Sequence, residues 1–334
     1  MKDAASSARH GKAVTVLTPV YNGADYLPEC IESVLGQSFT DWSYIIVDNR
    51  STDRTLEIAR RYEQADARIR VVANDTFLSM PSNFNRAFGL VPVDSQYVKV
   101  VCADDWIMPT CLAELVRNAD RHPSAGVVVC HQQSGERVLW RDLPPEVDFL
   151  RGREACRLGL LKGVHILGSP TACLYRADMI REGPFFPNES PHCDTSACYE
   201  KLDRWDLGMV NKVLSVERVH AEQISSKISD VAAGNVAYVE VFMLYGPRYL
   251  DESELSARFA DVYSEYCKGL GQGVLNFKGK EFWDYQRSEL EKLGLEIDYG
   301  LVARGALASI LANAAKPAAA VRKLKAALMP YLGR

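Results

Sequence analysis

Two adjacent carboxylates, Asp104 and Asp105, close an apolar run that begins at Tyr97 and reads Val-Val-Cys-Ala-Asp-Asp-Trp-Ile-Met-Pro from Val100 to Pro109. Side by side, two like charges repel, and a divalent cation relieves the repulsion. Mg2+ and Mn2+ favour oxygen ligands and bridge carboxylates to phosphates. The plainer reading is an Asp that caps a helix over Trp106–Leu115, with a solvated neighbour. The pair alone does not separate these readings, so its place among the other elements has to.

Those elements alternate. Ala13–Thr18 reads as a buried strand, followed by a turn at Pro19–Gly23 and a helix from Tyr26 to Gln37. A second strand at Tyr44–Asp48 precedes a helix over Asp53–Gln64, with Leu56, Ile58, Ala59 and Tyr62 as its apolar face. Ile69–Ala73, a helix over Ser82–Phe88, Tyr97–Cys102, a helix opened by Pro109 and running to Asp120, and Gly126–Cys130 continue the rhythm. Such repetition predicts an α/β fold with a mostly parallel sheet covered on both faces. Ligands of these sheets bind at the carboxyl ends of strands, near a switch in strand order. Asp48 and the Asp104–Asp105 pair both stand at such ends.

From Gln132 to Ser225 the pattern turns hairpin-like and irregular, with helical pieces at Arg153–Leu161 and Thr195–Leu202. Beyond Ser229 it reads as helices at Val231–Tyr249, Glu254–Leu270, Gly279–Leu293 and Tyr299–Ala315. The expected division is residues 1–228, split near 130 into two halves, and a helical region 229–334. A net charge of −4 over 334 residues argues against a surface that attracts nucleic acid as a whole. Nine cysteines, an odd number without a Cys-x-x-Cys pair, suit a reducing compartment better than a disulfide framework. No apolar stretch is long enough for a signal core or a membrane span, which leads to the expectation of a cytoplasmic protein.

Thr18-Pro-Val-Tyr-Asn-Gly23, Val47-Asp-Asn-Arg-Ser-Thr-Asp53 and Ala103-Asp-Asp105, in this order and each at a strand end, resemble the family 2 glycosyltransferases of the GT-A fold, the type that builds bacterial cell-surface polysaccharides. The resemblance covers Ala13 to Ser225. It implies a nucleotide-sugar donor, UDP-linked first and dTDP-linked second, and a saccharide or lipid-linked glycan acceptor. It also implies that Pro19, Tyr21 and Asp48 contact a uracil-like base, that Asp104 meets the ribose or sugar, and that Asp105 holds Mn2+ or Mg2+. A carboxylate accepting from a base N–H, beside the apolar surface of Tyr21, makes that assignment physically reasonable. Asp53 reads as a helix cap. Asn49-Arg50 departs from the family's usual Asp-Gly at this point, and Cys102 from a frequent Asp. For Asn83, in Met80-Pro-Ser-Asn-Phe-Asn85, two readings stand: approach to the nucleotide-sugar, or a helix cap.

Inverting members of the family also need a base that takes the acceptor proton. Ser190-Pro-His-Cys-Asp-Thr195 leads into a helical run, and the resemblance makes Asp194 the base, with Cys193 where Glu is frequent. Gly168-Ser-Pro-Thr171, Leu174-Tyr-Arg176 and Gly183-Pro-Phe-Phe186 resemble the family's lead-in to it. In the closing segment Glu217–Ser225, Arg218 is implied at the leaving diphosphate and His220 as a further metal ligand, against a plain structural histidine. A zinc site at His192, Cys193 and Cys198 lacks a matching second pair. In the tail, Val321, Leu324 and Leu328 of Ala318–Met329 share one face while Arg322, Lys323 and Lys325 project elsewhere. That suits either peripheral contact with an anionic membrane or packing on the protein itself. Three rivals remain. A nucleotidyltransferase lacks its Gly-rich phosphate loop, and an oxidoreductase lacks Gly-x-Gly-x-x-Gly after the first strand. A catalytically degenerate binding or scaffold module stays open because of the departures at Asn49, Arg50, Cys102 and Cys193.

Overall fold

Seven consecutive buried residues form strand β1, Val14–Val20, which lies between β2, Trp42–Asp48, and β4, Tyr97–Val100. This computed structural model describes residues 13–163, 167–187, 190, 192–220 and 233–314. Strand β3, Ile69–Ala73, completes a parallel block in the order β3-β2-β1-β4. Chain order therefore reverses between β1 and β4, the switch at which α/β sheets open a cleft. Helix α1, Leu27–Leu35, carries Pro28 in its first turn and buries Leu27, Cys30, Ile31 and Val34. That i, i+3, i+4, i+7 stripe contributes roughly 1.5–3 kcal/mol for each large apolar side chain it removes from water. Helices α2, Thr55–Ala65, α3, Met80–Phe88, and α4, Cys111–Arg121, supply the remaining crossovers.

The second half of the sheet departs from the expected parallel arrangement. Strand β9, Cys173–Arg176, is antiparallel to both β4 and β6, Ala125–Ser134, while β6 runs parallel to β10, Asp206–Glu217. Short β5, Trp106–Ile107, β7, Arg137–Leu139, and β8, Phe149–Leu150, add antiparallel edges. The ten-stranded sheet is thus mixed. Trp106 and Ile107 pair with β10 instead of opening a helix, and α4 starts only at Cys111, after Pro109. The helix-capping alternative for Asp105 falls with that correction. The twelve-residue β10 lies in the stretch that read as irregular: register shifts near Leu207, Val213 and Ser215 break its alternation, so no clean period of two is visible in its sequence.

Helices α5, Gly152–Lys162, α6, Ala177–Ile180, and α7, Cys193–Lys201, complete the first of two compact units, which ends at His220. The second unit runs from Ala221; the sequence-read boundary at 228 falls among residues outside those described. It contains α8, Ala233–Tyr249, α9, Glu252–Leu275, α10, Lys280–Lys292, and α11, Tyr299–Ala314. A capping box starts α9: Asp251 accepts from Glu254 N–H at 2.9 Å, and Glu254 accepts from Asp251 N–H at 3.1 Å. Helices α9 and α11 meet through glycines. A Cβ on Gly271 would lie 2.3 Å from Ala306 N, and one on Gly305 2.0 Å from Lys268 O. No helix of the described residues is long and apolar enough to cross a membrane. The basic segment Ala318–Met329 lies outside the described residues. All nine cysteines are free thiols.

Candidate functional site

The parallel register sets Val20 opposite Asp48, so the β1 turn and the second acidic position emerge together. Asp48 is only 1% exposed. Its Oδ2 accepts from Ser51 N–H at 3.2 Å, whereas Oδ1 has no hydrogen-bond partner among the described residues. An unmet carboxylate oxygen is costly to bury, and an N–H or O–H donor from outside the chain would satisfy it. Tyr21, 49% exposed, meets the edge of Phe77, 60% exposed, with ring centroids 4.9 Å apart. Two aromatic rings are left in solvent at this strand end, a surface suited to stacking. Phe77 carries no signal in the sequence, where it follows an ordinary Asn-Asp-Thr turn. Pro19 lies buried within β1, opposite Val47, and the turn begins only after Val20.

Asn49 explains its own departure from the family pattern. Its Nδ2 donates to Leu78 O at 2.8 Å, and its Oδ1 accepts from Leu78 N–H and Asn74 Nδ2, each at 3.0 Å. A carboxylate could not make the first of these bonds. Asn74 Nδ2 also reaches Asn83 Oδ1 at 2.8 Å. Asn83 is buried and tied to this network, and it is not the cap of α3: that is Ser79, whose hydroxyl accepts from Ser82 N–H at 3.3 Å. Arg50 has φ of +60°, where glycine is favoured, and donates from Nη1 to Asp75 O at 3.3 Å. Asp53 accepts from Thr55 N–H at 2.9 Å and Ala24 N–H at 3.1 Å, fastening the start of α2 to the turn after β1.

The acidic loop is gripped on both sides. Before it, Val101 N–H donates to Leu17 O at 3.0 Å and the Thr18 hydroxyl donates to Val101 O at 2.7 Å, extending the tie between β1 and β4. After it, Ile107 N–H donates to the Ser33 hydroxyl at 3.2 Å, and Gln37 donates to Met108 O at 2.8 Å. Within it the two acids differ. Asp105 is 6% exposed, and its Oδ2 accepts from the Thr171 hydroxyl at 2.6 Å and its Oδ1 from Arg218 N–H at 3.2 Å. Burial first, and the Asp104 charge second, push the Asp105 carboxyl up to about 8. Asp104 is half-buried, and its Oδ2 faces His220 Nε2 at 3.2 Å. Small octahedral cations have bonds of about 2.1 Å, which put neighbouring ligands about 3 Å apart. The Asp104–His220 pair fits two such positions. Among the described residues no three His, Cys, Asp or Glu side chains converge into a closed cage, so ligand oxygens would have to complete the sphere.

Arg218 binds this corner together. Its Nε donates to Asp104 O at 3.1 Å, its Nη2 pairs with Glu29 of α1, and its guanidinium lies between the rings of Tyr26 and Trp106, 5.0 and 4.8 Å from their centroids. The Tyr26 ring also packs on His220, with centroids 4.6 Å apart. Tyr26, Trp106 and Thr171 escape a reading by motif because each is an ordinary apolar or hydroxyl residue until the sheet assembles.

Asp194 occupies the first turn of α7, where it accepts from Thr195 N–H at 2.7 Å. Burial raises its carboxyl above its ordinary value, and its charge reaches the Tyr175 phenol of β9. The helix cap itself is His192. Asp48, Asp104, Asp105, Arg218 and His220 thus gather at the carboxyl ends of β1, β2 and β4, while Asp194 stands on α7, within electrostatic reach of Tyr175 on β9.

Fold and site together define a GT-A-type α/β protein, with a buried acid, Asp48, and an acidic pair at its switch point. The chain belongs to glycosyl transferase family 2, whose sequence model matches residues 15–183. It is 31% identical over 142 residues to the uncharacterized glycosyltransferase EpsJ of Bacillus subtilis, a match covering 41% of this chain and 39% of EpsJ. It is 26% identical over 182 residues to the poly(ribitol-phosphate) β-N-acetylglucosaminyltransferase TarS of Staphylococcus aureus, covering 52% of this chain and 30% of TarS. The matches therefore span well under half the length of these relatives. Among solved structures, TarS residues 1–349 with UDP-GlcNAc superposes at a TM-score of 0.64, with 17% identity over 86% of this chain and 82% of that one. The mannosyltransferase PcManGT of Pyrobaculum calidifontis, solved with GDP-Man and Mn2+, gives 0.53 with 15% identity over 91% and 89%. Both structural likenesses speak for the fold.

Proposed function

We propose that this chain transfers a sugar, with inversion, from a UDP-sugar to a hydroxyl of a cell-surface glycan. The observation that carries the reading is the unmet Oδ1 of Asp48, buried beside two exposed aromatic rings at the sheet's switch point. A uracil offers an N–H for the oxygen and a flat face for the rings. The UDP-GlcNAc bound to TarS, the neighbour with the higher TM-score of the two described, supports UDP, and the GDP-Man of PcManGT makes GDP the rival to test. Asp104 and His220 would hold Mn2+ or Mg2+, which when bound neutralises charge on the diphosphate. Asp105 holds the loop from below through Thr171 and Arg218 N–H. Arg218, donating from Nε to the Asp104 backbone carbonyl at 3.1 Å, steadies the loop that carries the Asp104 carboxylate. Asp194 takes the acceptor hydroxyl's proton as the oxygen attacks the anomeric carbon. The bond from that carbon to the diphosphate breaks on the opposite face, and the nucleoside diphosphate leaves with the electron pair.

The test is release of UDP from UDP-GlcNAc and related UDP-sugars by the purified chain with Mn2+, alongside thermal shifts with UDP, dTDP, GDP and CMP. UDP is expected to give the largest shift. Asp104→Ala should release no UDP while melting like the wild type. A wild-type chain that neither binds UDP nor releases it would refute the proposal, and so would full activity of Asp104→Ala.

A further inference from the structure

Strand β4 carries a side chain that packing does not explain. Lys99 is wholly buried, yet among the described residues no carboxylate pairs with it. Its ammonium donates to two backbone carbonyls, those of Thr171 and, at 3.1 Å, Cys173. Burying an ammonium costs several kcal/mol even after relaxation, and neutral acceptors offset only part of it.

What the ammonium grips is the point where a ladder stops. The β4–β9 pairing runs Tyr97↔Arg176, Val98↔Tyr175 and Lys99↔Leu174 and ends there. On the far side lies the 3-10 turn Pro170–Ala172, whose orientation no strand hydrogen bond to β4 fixes. Lys99 reaches it from the β4 side, as Cys130 and Gln132 of β6 do from the other. Thr171, itself fully buried, then turns its hydroxyl to the acidic loop. Cys102 N–H donates into Thr171 Oγ1 at 3.0 Å, so the hydroxyl hydrogen is directed to Asp105 Oδ2 at 2.6 Å. One threonine thereby holds the loop on both sides of Asp104.

We propose that Lys99 is a positioning residue for the acidic loop, acting through Thr171. The ammonium sets the turn, the turn sets Cys102 and Asp105, and Asp104 is aimed as a result. The aim of Asp104 rests on the function proposed above; the coupling from Lys99 to the loop does not. A lysine that merely joined β4 to β9 would act without reference to the Thr171 hydroxyl.

Hydrogen exchange on the full chain separates these roles. In Lys99→Met and in Thr171→Val, amides over residues 102–105 are expected to exchange roughly tenfold faster or more, the effect of one lost hydrogen bond to a charged or buried group. Peptides from β1 and β2 should keep their wild-type protection. The double variant should be no faster than the worse single variant, because both act on one link, and Thr171→Ser should restore wild-type exchange. Unchanged exchange over 102–105 in Lys99→Met, or effects that multiply in the double variant, would overturn the proposal. If Lys99→Met does not fold, Lys99→Arg gives the same reading: its larger head group must displace the turn, and an undisturbed loop refutes the coupling. UDP affinity in Mn2+ is measured in parallel. Absence of UDP binding by the wild type would remove the function assigned to Asp104 and leave the exchange result to judge Lys99.

Discussion

Asp48→Asn tests nucleotide recognition at the level of one atom. Oδ2 of Asp48 is held by Ser51 N–H at 3.2 Å. An asparagine that keeps this bond must leave its oxygen there and place its NH2 where Oδ1 now stands unmet. A donor then faces the donor of the base. The loss is one charge-assisted hydrogen bond, ~1.5–3 kcal/mol, equivalent to roughly ten- to hundredfold weaker UDP binding. Isothermal titration of UDP in Mn2+ measures it. UDP methylated at uracil N3 provides the control, since the methyl group removes the same contact from the ligand's side. Wild-type protein should lose affinity for the methylated nucleotide by a similar factor, and Asp48→Asn should lose little more. If Asp48→Asn binds UDP as tightly as the wild type, the unmet oxygen has nothing to do with the base.

Asp194→Asn should abolish transfer while leaving UDP binding intact. Because burial raises the Asp194 carboxyl above its ordinary 3.8, and only the ionised form accepts a proton, kcat should fall as the pH drops through that raised value; a pH–rate profile flat down to 3.8 would remove Asp194 as base. Arg50→Gly relieves a left-handed backbone at φ +60°, and denaturant titration should show stability unchanged or up by ~1 kcal/mol. In the helical unit, Gly305→Ala puts a methyl 2.0 Å from Lys268 O; forcing α9 and α11 apart should cost ~1–3 kcal/mol, read as a lower melting temperature of that unit.

The first half of the fold was legible because its strands and helices obey their own periods. β1, β2 and β3 are short apolar runs, and α1 carries one clean stripe, so the acids at their ends could be placed before any contact was known. The second half hid for physical reasons. β9 has four residues, and β10 changes register three times; neither leaves a sustained period. At the site, the acidic pair was visible while the different surroundings of its two members were not. Only the assembled turn of Thr171 and the backbone of Arg218 bury Asp105 and leave Asp104 to face His220. Asn49 and Arg50 looked like defects in a motif. Asn49 instead braces the loop before α3, and Arg50 keeps the left-handed turn that a glycine would adopt more easily.

The glycine seam between α9 and α11 also constrains how this chain can change length. One residue inserted into either helix rotates everything beyond it by about 100°, which would swing Gly271 or Gly305 off the seam and bring in a side chain where there is space for none. Insertions in the stretch that joins the two helices leave both glycines on the seam. Lineages of this protein should accordingly vary around α10 while keeping the spacing of the two glycines within their own helices fixed.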